Sequence, residues 1–201
     1  LNLNSGVNGA NGLDVGVVAV ASWYAVHIID GPTVVPAGLF SLSPTAPTLP
    51  AGYTVFRRVG WARTAPGSTN FRTGQLQGAG RSREFFYNAV VSVLAGGAIT
   101  GTWTNVSCVH ALPPIHVRGA FTASQTTRGG PNLLIRPLGF GNSAAGLIIV
   151  PGAAAAPSPI PATKFYLVTG SPVAAVQTIQ YQNDAGGGTS DISVLGYIDE
   201  I

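Results

Sequence analysis

Ile115-His116-Val117-Arg118 and, further on, Val176-Gln177-Thr178-Ile179-Gln180-Tyr181 set apolar against polar residues in a period of two. That period places like residues on one side of an extended chain, the pattern of a half-buried strand. Working outward, β-type runs recur between glycine and proline breakers at residues 22–29, 34–41, 54–63, 84–93, 102–110, 115–122, 133–136, 147–150, 164–169, 176–181 and 192–198. Short strands at turn-separated spacing predict an all-β domain, a jelly-roll-like antiparallel β-sandwich. No stretch carries a helical period with caps. Residues 144–156 are alanine-rich, but Gly146, Pro151 and Gly152 interrupt them, so a strand followed by a loop is expected. Residues 1–16, rich in Asn and Gly, read as a lead-in segment, and 17–201 as a single β domain.

Composition narrows the function. Charged residues are 8% of the 201, against about 25% in an ordinary soluble domain, while hydrophobic residues stay at 46%. What is short is surface charge, so part of the outer surface is expected to lie against further copies of the chain. No run reaches the 18 or so apolar residues of a membrane span. The net charge of +3 comes from ten cations against seven anions. Only Arg57-Arg58 with Arg63, and Arg81 with Arg83, are dense; with no recognition motif beside them, the field is too thin for nucleic acid. Cys108 is the single cysteine, which excludes an intrachain disulfide and a cysteine zinc cluster and marks a small buried hydrophobe in an alternating strand. The chain holds no Met, even at position 1, and is expected to begin inside a longer polypeptide.

Two blocks carry a resemblance. Gly12-Leu13-Asp14-Val15-Gly16 precedes Ser22-Trp23-Tyr24-Ala25-Val26, and Gly38-Leu39-Phe40-Ser41-Leu42-Ser43 precedes Leu49-Pro50-Ala51-Gly52-Tyr53-Thr54-Val55-Phe56-Arg57-Arg58-Val59-Gly60. In order and spacing both are similar to blocks of tailed-bacteriophage tail-fibre and receptor-binding proteins, over about residues 12–64. Val15, where Thr is usual, and Ala65-Pro66-Gly67, where a polar turn is common, depart from that pattern. The resemblance implies a homotrimeric β-rich module at the virion's tail tip. It would attach to a host surface receptor, a polysaccharide or pilus, beside other tail proteins and without catalysis or cofactor. A structural virion module (baseplate, spike or capsid decoration) is the alternative, and a polysaccharide-cleaving tail protein a further one.

Functional contacts concentrate on loops held by rigid strands. The glycine- and amide-bearing segments 72–81, 124–131 and 184–190 are therefore the expected receptor surface, with Gln75, Gln77, Gln125, Arg128, Asp184 and Thr189 as candidate contacts. Trp23, Tyr53, Phe56, Arg57, Arg58 and Trp61 are expected in the core or at the subunit seam, where aromatic and arginine side chains are favoured. On a strand Arg57 and Arg58 point to opposite faces. Glycan cleavage would need two carboxylates some 5–10 Å apart, and Asp184 and Asp191, flanking a glycine loop, are the pair placed to meet. No G-x-S-x-G elbow and no phosphate-binding loop occur. His110 and His116 flank Ala111-Leu112-Pro113-Pro114, a turn that would face them across a hairpin, with no acid or cysteine spaced to close a zinc site.

Overall fold

The computed structural model describes residues 3–78, 82–98, 101–115, 117–125, 132–139, 148–150, 163–169, 177–183 and 189–200. Among them all regular structure is β-strand, and no helix is long and apolar enough to cross a membrane. The chain divides into two compact units, residues 1–73 and 74–200.

The first unit is a four-stranded sheet of β1 (Gly12–Leu13), β2 (Trp23–Asp30), β3 (Ala37–Ser41) and β4 (Val55–Arg63), in the order β1-β3-β2-β4. β1 runs parallel to β3, and the other pairs are antiparallel. Every residue of β3 is buried, because both of its faces are covered. Phe40 joins Leu13 and Tyr24 in one apolar cluster, with Phe71 stacked on Phe40 at 4.8 Å; Leu39 joins Ile29 and Ala37 in another, flanked by Leu49 and Tyr53. A strand covered on two faces has no polar side to show, which is why Ala37-Gly38-Leu39-Phe40-Ser41 does not alternate. Residues 1–16, read as a lead-in, supply β1 to this sheet. Gly12 is fixed by a close approach: a Cβ there would stand 2.2 Å from the Val7 carbonyl oxygen.

The second unit holds two antiparallel sheets. One comprises β5 (Gly74–Gln77), β6 (Ser82–Ala98), β8 (Val117–Gln125), β11 (Thr163–Thr169) and β13 (Thr189–Glu200), in the order β11-β8-β13-β6-β5. The other comprises β7 (Thr104–Ser107), β9 (Leu133–Pro137), β10 (Ile148–Val150) and β12 (Thr178–Asn183), in the order β10-β9-β12-β7. Burial alternates residue by residue along β9 and β12, so Leu133, Ile135, Ile179 and Tyr181 face inward. Ile192 and Val194 of β13 and Phe121 and Ala123 of β8 are likewise fully or almost fully buried. Buried phenols tie the sheets together: Tyr181 donates to the Ala98 carbonyl (3.0 Å), and Tyr87 of β6 to that of Ala111 (2.7 Å) beyond β7.

Each of the eleven runs read from the sequence overlaps one of these strands, the run 102–110 only over Thr104–Ser107 and the run 34–41 over Ala37–Ser41. β1 and β5 were not expected, being respectively two residues long and a Gly-Gln-Leu-Gln stretch that its pairing with β6 extends. β6 continues past residue 93 through Gly96 and Gly97, because β13 pairs along it and the Asp191 carboxylate accepts the Gly96 N–H at 2.8 Å. Among the described residues the strands on either side of His110 and His116 do not pair as the expected hairpin. β7 pairs with β12 and β8 with β11 and β13, and the turn after β7, closed by Ala111 and Leu112 N–H groups on the Cys108 carbonyl, carries the chain between sheets. Cys108 lies in that turn, not in a strand, and is fully buried. His116 lies outside the described residues.

Candidate functional site

The strand registers sort the candidate receptor residues to two ends of the second unit. Ala98 faces Thr189, Ser190 faces Gln125, and Ala123 faces Thr163, so these termini share one end of the five-stranded sheet. In the other sheet Asn183 faces Leu133 and Leu133 faces Val150. The two sets meet, since Asn183 and Ser190, both fully buried, hydrogen-bond through their side chains at 3.3 Å. The strands bordering 126–131 and 184–188 therefore end together, bringing Gln125 and Thr189 into one neighbourhood. Gln75 and Gln77 are elsewhere. They are exposed on the edge strand β5, beside Phe86 and Glu84, about 20 Å along β13 from Ser190 at 3.3 Å per residue. Arg128 and Asp184 lie outside the described residues.

The candidate core and seam residues form a ladder on the first sheet. The Trp23 and Trp61 rings meet edge to face at 6.4 Å; the Arg58 guanidinium lies 5.2 Å from the Trp61 centroid and that of Arg63 5.7 Å from Trp23. Such pairs hold when partly desolvated, and Trp61 and Arg63 are buried. Tyr53 donates to the Val35 carbonyl at 3.0 Å. Phe56, 40% exposed, touches the His27 ring edge to face at 5.4 Å, and Arg57 is exposed. His27 pairs with Arg58 in the ladder and Ile28 with Arg57, so the two arginines leave opposite faces of β4.

His27 is fully buried, and its Nε2 donates to the Ser43 carbonyl at 3.1 Å, which leaves Nδ1 buried without a partner. Burial holds the imidazole below its usual range, opposed by the Ser43 bond. Burial also pushes the Cys108 thiol up to about 12, which denies it thiolate chemistry near neutral pH.

Three of the described acids accept hydrogen bonds within the fold. Asp14 accepts from Ser41 Oγ (2.6 Å), from Val15 N (2.8 Å) and from Thr48 N (3.2 Å), so the two blocks quoted above meet at one carboxylate. Asp30 accepts from Gly31 N and Asp191 from Gly96 N. Among the described residues no three His, Cys, Asp or Glu side chains gather to hold a metal.

One constellation was not read from the sequence. On the β10-β9-β12-β7 sheet of the second unit the Arg136 guanidinium stacks 3.8 Å from the Trp103 centroid and donates through Nε to Gln180, which donates to Asn105 (2.9 Å each). The signal available was the outward phase of Gln180 in an alternating strand; its partners come from β7 and β9, distant in sequence. No family model, curated protein or solved structure matches this chain.

Proposed function

We propose that this chain is a non-catalytic host-attachment module of a bacteriophage tail fibre or receptor-binding protein. It works at the virion's tail tip as a homotrimer, with its second unit a jelly-roll-like sandwich. The observation that carries the reading is the gathering at one end of that unit of the strand termini bordering 126–131 and 184–188. Rigid strands that present neighbouring loop ends suit the recognition of an external surface. The sandwich reading is supported by the orders β6-β13-β8-β11 and β7-β12-β9-β10, in which successive strands mostly alternate between sheets and the first and last strands of the set pair. Two interlocked Greek keys wind in this way, an arrangement found in viral capsid and lectin domains. A fold alone leaves function open, so the weight rests on the site and on the quoted blocks.

Self-association is supported by the sparse charge together with apolar side chains in solvent, among them Phe56, Ile28 and Val55 on β2 and β4 and Leu76 on β5. Three linked weak sites bind a cell far more tightly than one. Against cleavage stands Asp191, whose carboxylate already receives the Gly96 N–H.

Two measurements test the reading. Sedimentation equilibrium is expected to give three times the 20.4 kDa chain mass. Saturating purified protein is expected to block phage adsorption to the host that its source phage infects. A concentration-independent monomer would remove the trimer, and unchanged adsorption would remove the receptor role.

A further inference from the structure

We infer that a cleft in the first unit is a binding site for a neutral saccharide. The cleft, about 510 Å³, is lined by Ser5, Asn8, Val17, Val18, Thr69 and Asn70 with adjoining glycines. Its volume falls within the range of small-molecule sites. Its chemistry is selective in what it omits. No ionisable side chain lines it, so it offers no charge to pair with a phosphate, a carboxylate ligand or a metal ion, and a neutral ligand has the least desolvation to offset there. What it offers is two amides and two hydroxyls, each able to donate and accept, beside two valines. Among the described residues, no hydrogen bond engages any of these four polar side chains. Asn8, Thr69 and Asn70 are exposed, and Val17 is 86% exposed. A ligand matching that lining carries many hydroxyls and an apolar C–H face but no charge, which describes a sugar ring.

The walls are set in place by backbone bonds before any ligand arrives. Asn4 N donates to the Asn11 carbonyl (2.7 Å), Gly9 N to that of Leu13 (2.7 Å) and Leu13 N to that of Val7 (2.8 Å), which fixes the segment carrying Ser5 and Asn8. The segment carrying Thr69 and Asn70 is a closed turn: Ala65 N donates to the Asn70 carbonyl (2.9 Å), Ser68 N to that of Ala65 (3.2 Å) and Asn70 N to Ser68 Oγ (3.0 Å). The segment after Val17 and Val18 is tied by Ala19 N to the Tyr24 hydroxyl at 2.8 Å. Little ordering entropy then opposes binding, which matters for a ligand held by a few neutral bonds.

The inference is independent of the attachment reading, since it concerns residues 5–18 and 69–70 and not the loop ends of the second unit. The test is amide chemical-shift mapping on the full chain. It is titrated to about 10 mM, the weak end of single-site recognition, with methyl glycosides and trisaccharides of glucose, galactose, mannose, rhamnose and N-acetylglucosamine. Sialyllactose serves as a charged counterpart. Saturable shifts confined to residues 5–9, 16–19 and 68–70 are expected for at least one neutral probe. They should weaken about tenfold or more in the Asn8→Ala, Asn70→Ala double variant, since each amide contributes at least one bond. Both side chains are exposed and unbonded, so the variant is expected to melt with the parent, which makes lost binding a reading of the site. Absence of those shifts with every neutral probe, an unchanged affinity in the double variant, or tighter binding of sialyllactose than of any neutral probe would each overturn the inference. Shifts in a protein that leaves adsorption untouched would support the cleft while removing the receptor role.

Discussion

His27 couples the first sheet to pH. Its native pKa is lowered, so the unfolded chain takes up a proton first as pH falls through the ordinary value of 6.5. Stability is therefore expected to drop as pH goes from neutral through 6.5 toward the lowered native value, and to level off below that. His27→Gln keeps an N–H for the Ser43 carbonyl and removes the titration. Melting temperature against pH should be flatter for the variant between about pH 7 and 5, and parallel curves would contradict the assignment. Cys108 gives a second prediction: with its thiol pushed up to about 12 and no exposed surface, it should react with a thiol reagent at pH 8 only on unfolding. The burial of Cys108 was legible from its apolar neighbours, whereas no local pattern around His27 states what covers its ring. What buries its ring, Phe56 from β4 and Ser43 after β3, comes from strands whose register no local pattern states.

Element by element, alternation marked β8 and β12, β-type runs between breakers marked the other expected strands, and the alternation read through Cys108 ends in a turn. β3 buries both faces and β5 neither Gln75 nor Gln77; one was found through its apolar run and the other not at all. Two contacts made by the pairing of elements carry predictions. The Asp14 carboxylate clamps β3 and the proline-rich 44–50 stretch to the turn after β1, so Asp14→Ala strands the Ser41 hydroxyl and the Thr48 N–H. A loss of about 1–3 kcal/mol in denaturant unfolding of the first unit is expected. Gly196 stands at a register shift in β13, where a Cβ would come 2.0 Å from the Phe85 carbonyl oxygen of β6. Because that atom is backbone and cannot rotate away, Gly196→Ala is expected to cost about 2 kcal/mol or more in the second unit, read by the same measurement. A neutral effect would mean the strands part there at little cost.

For the whole molecule, the boundary between the two compact units falls between residues 73 and 74. Residues 74–201 expressed alone should fold cooperatively and keep a β-type circular dichroism spectrum, because every strand from β5 to β13 finds its partners within that range. A fragment without a cooperative transition would show that the second unit depends on the first. The sequence by itself determined the fold class, the position of nearly every strand, and a surface poor in charge, because period, turn residues and composition are local quantities. Only the tertiary structure decided which strands are neighbours, that the chain forms two units, and that Gln75 and Gln77 stand apart from Gln125 and Thr189. Those outcomes depend on pairings between residues tens of positions apart, and the free energy of such a pairing belongs to both partners and is written in neither segment alone.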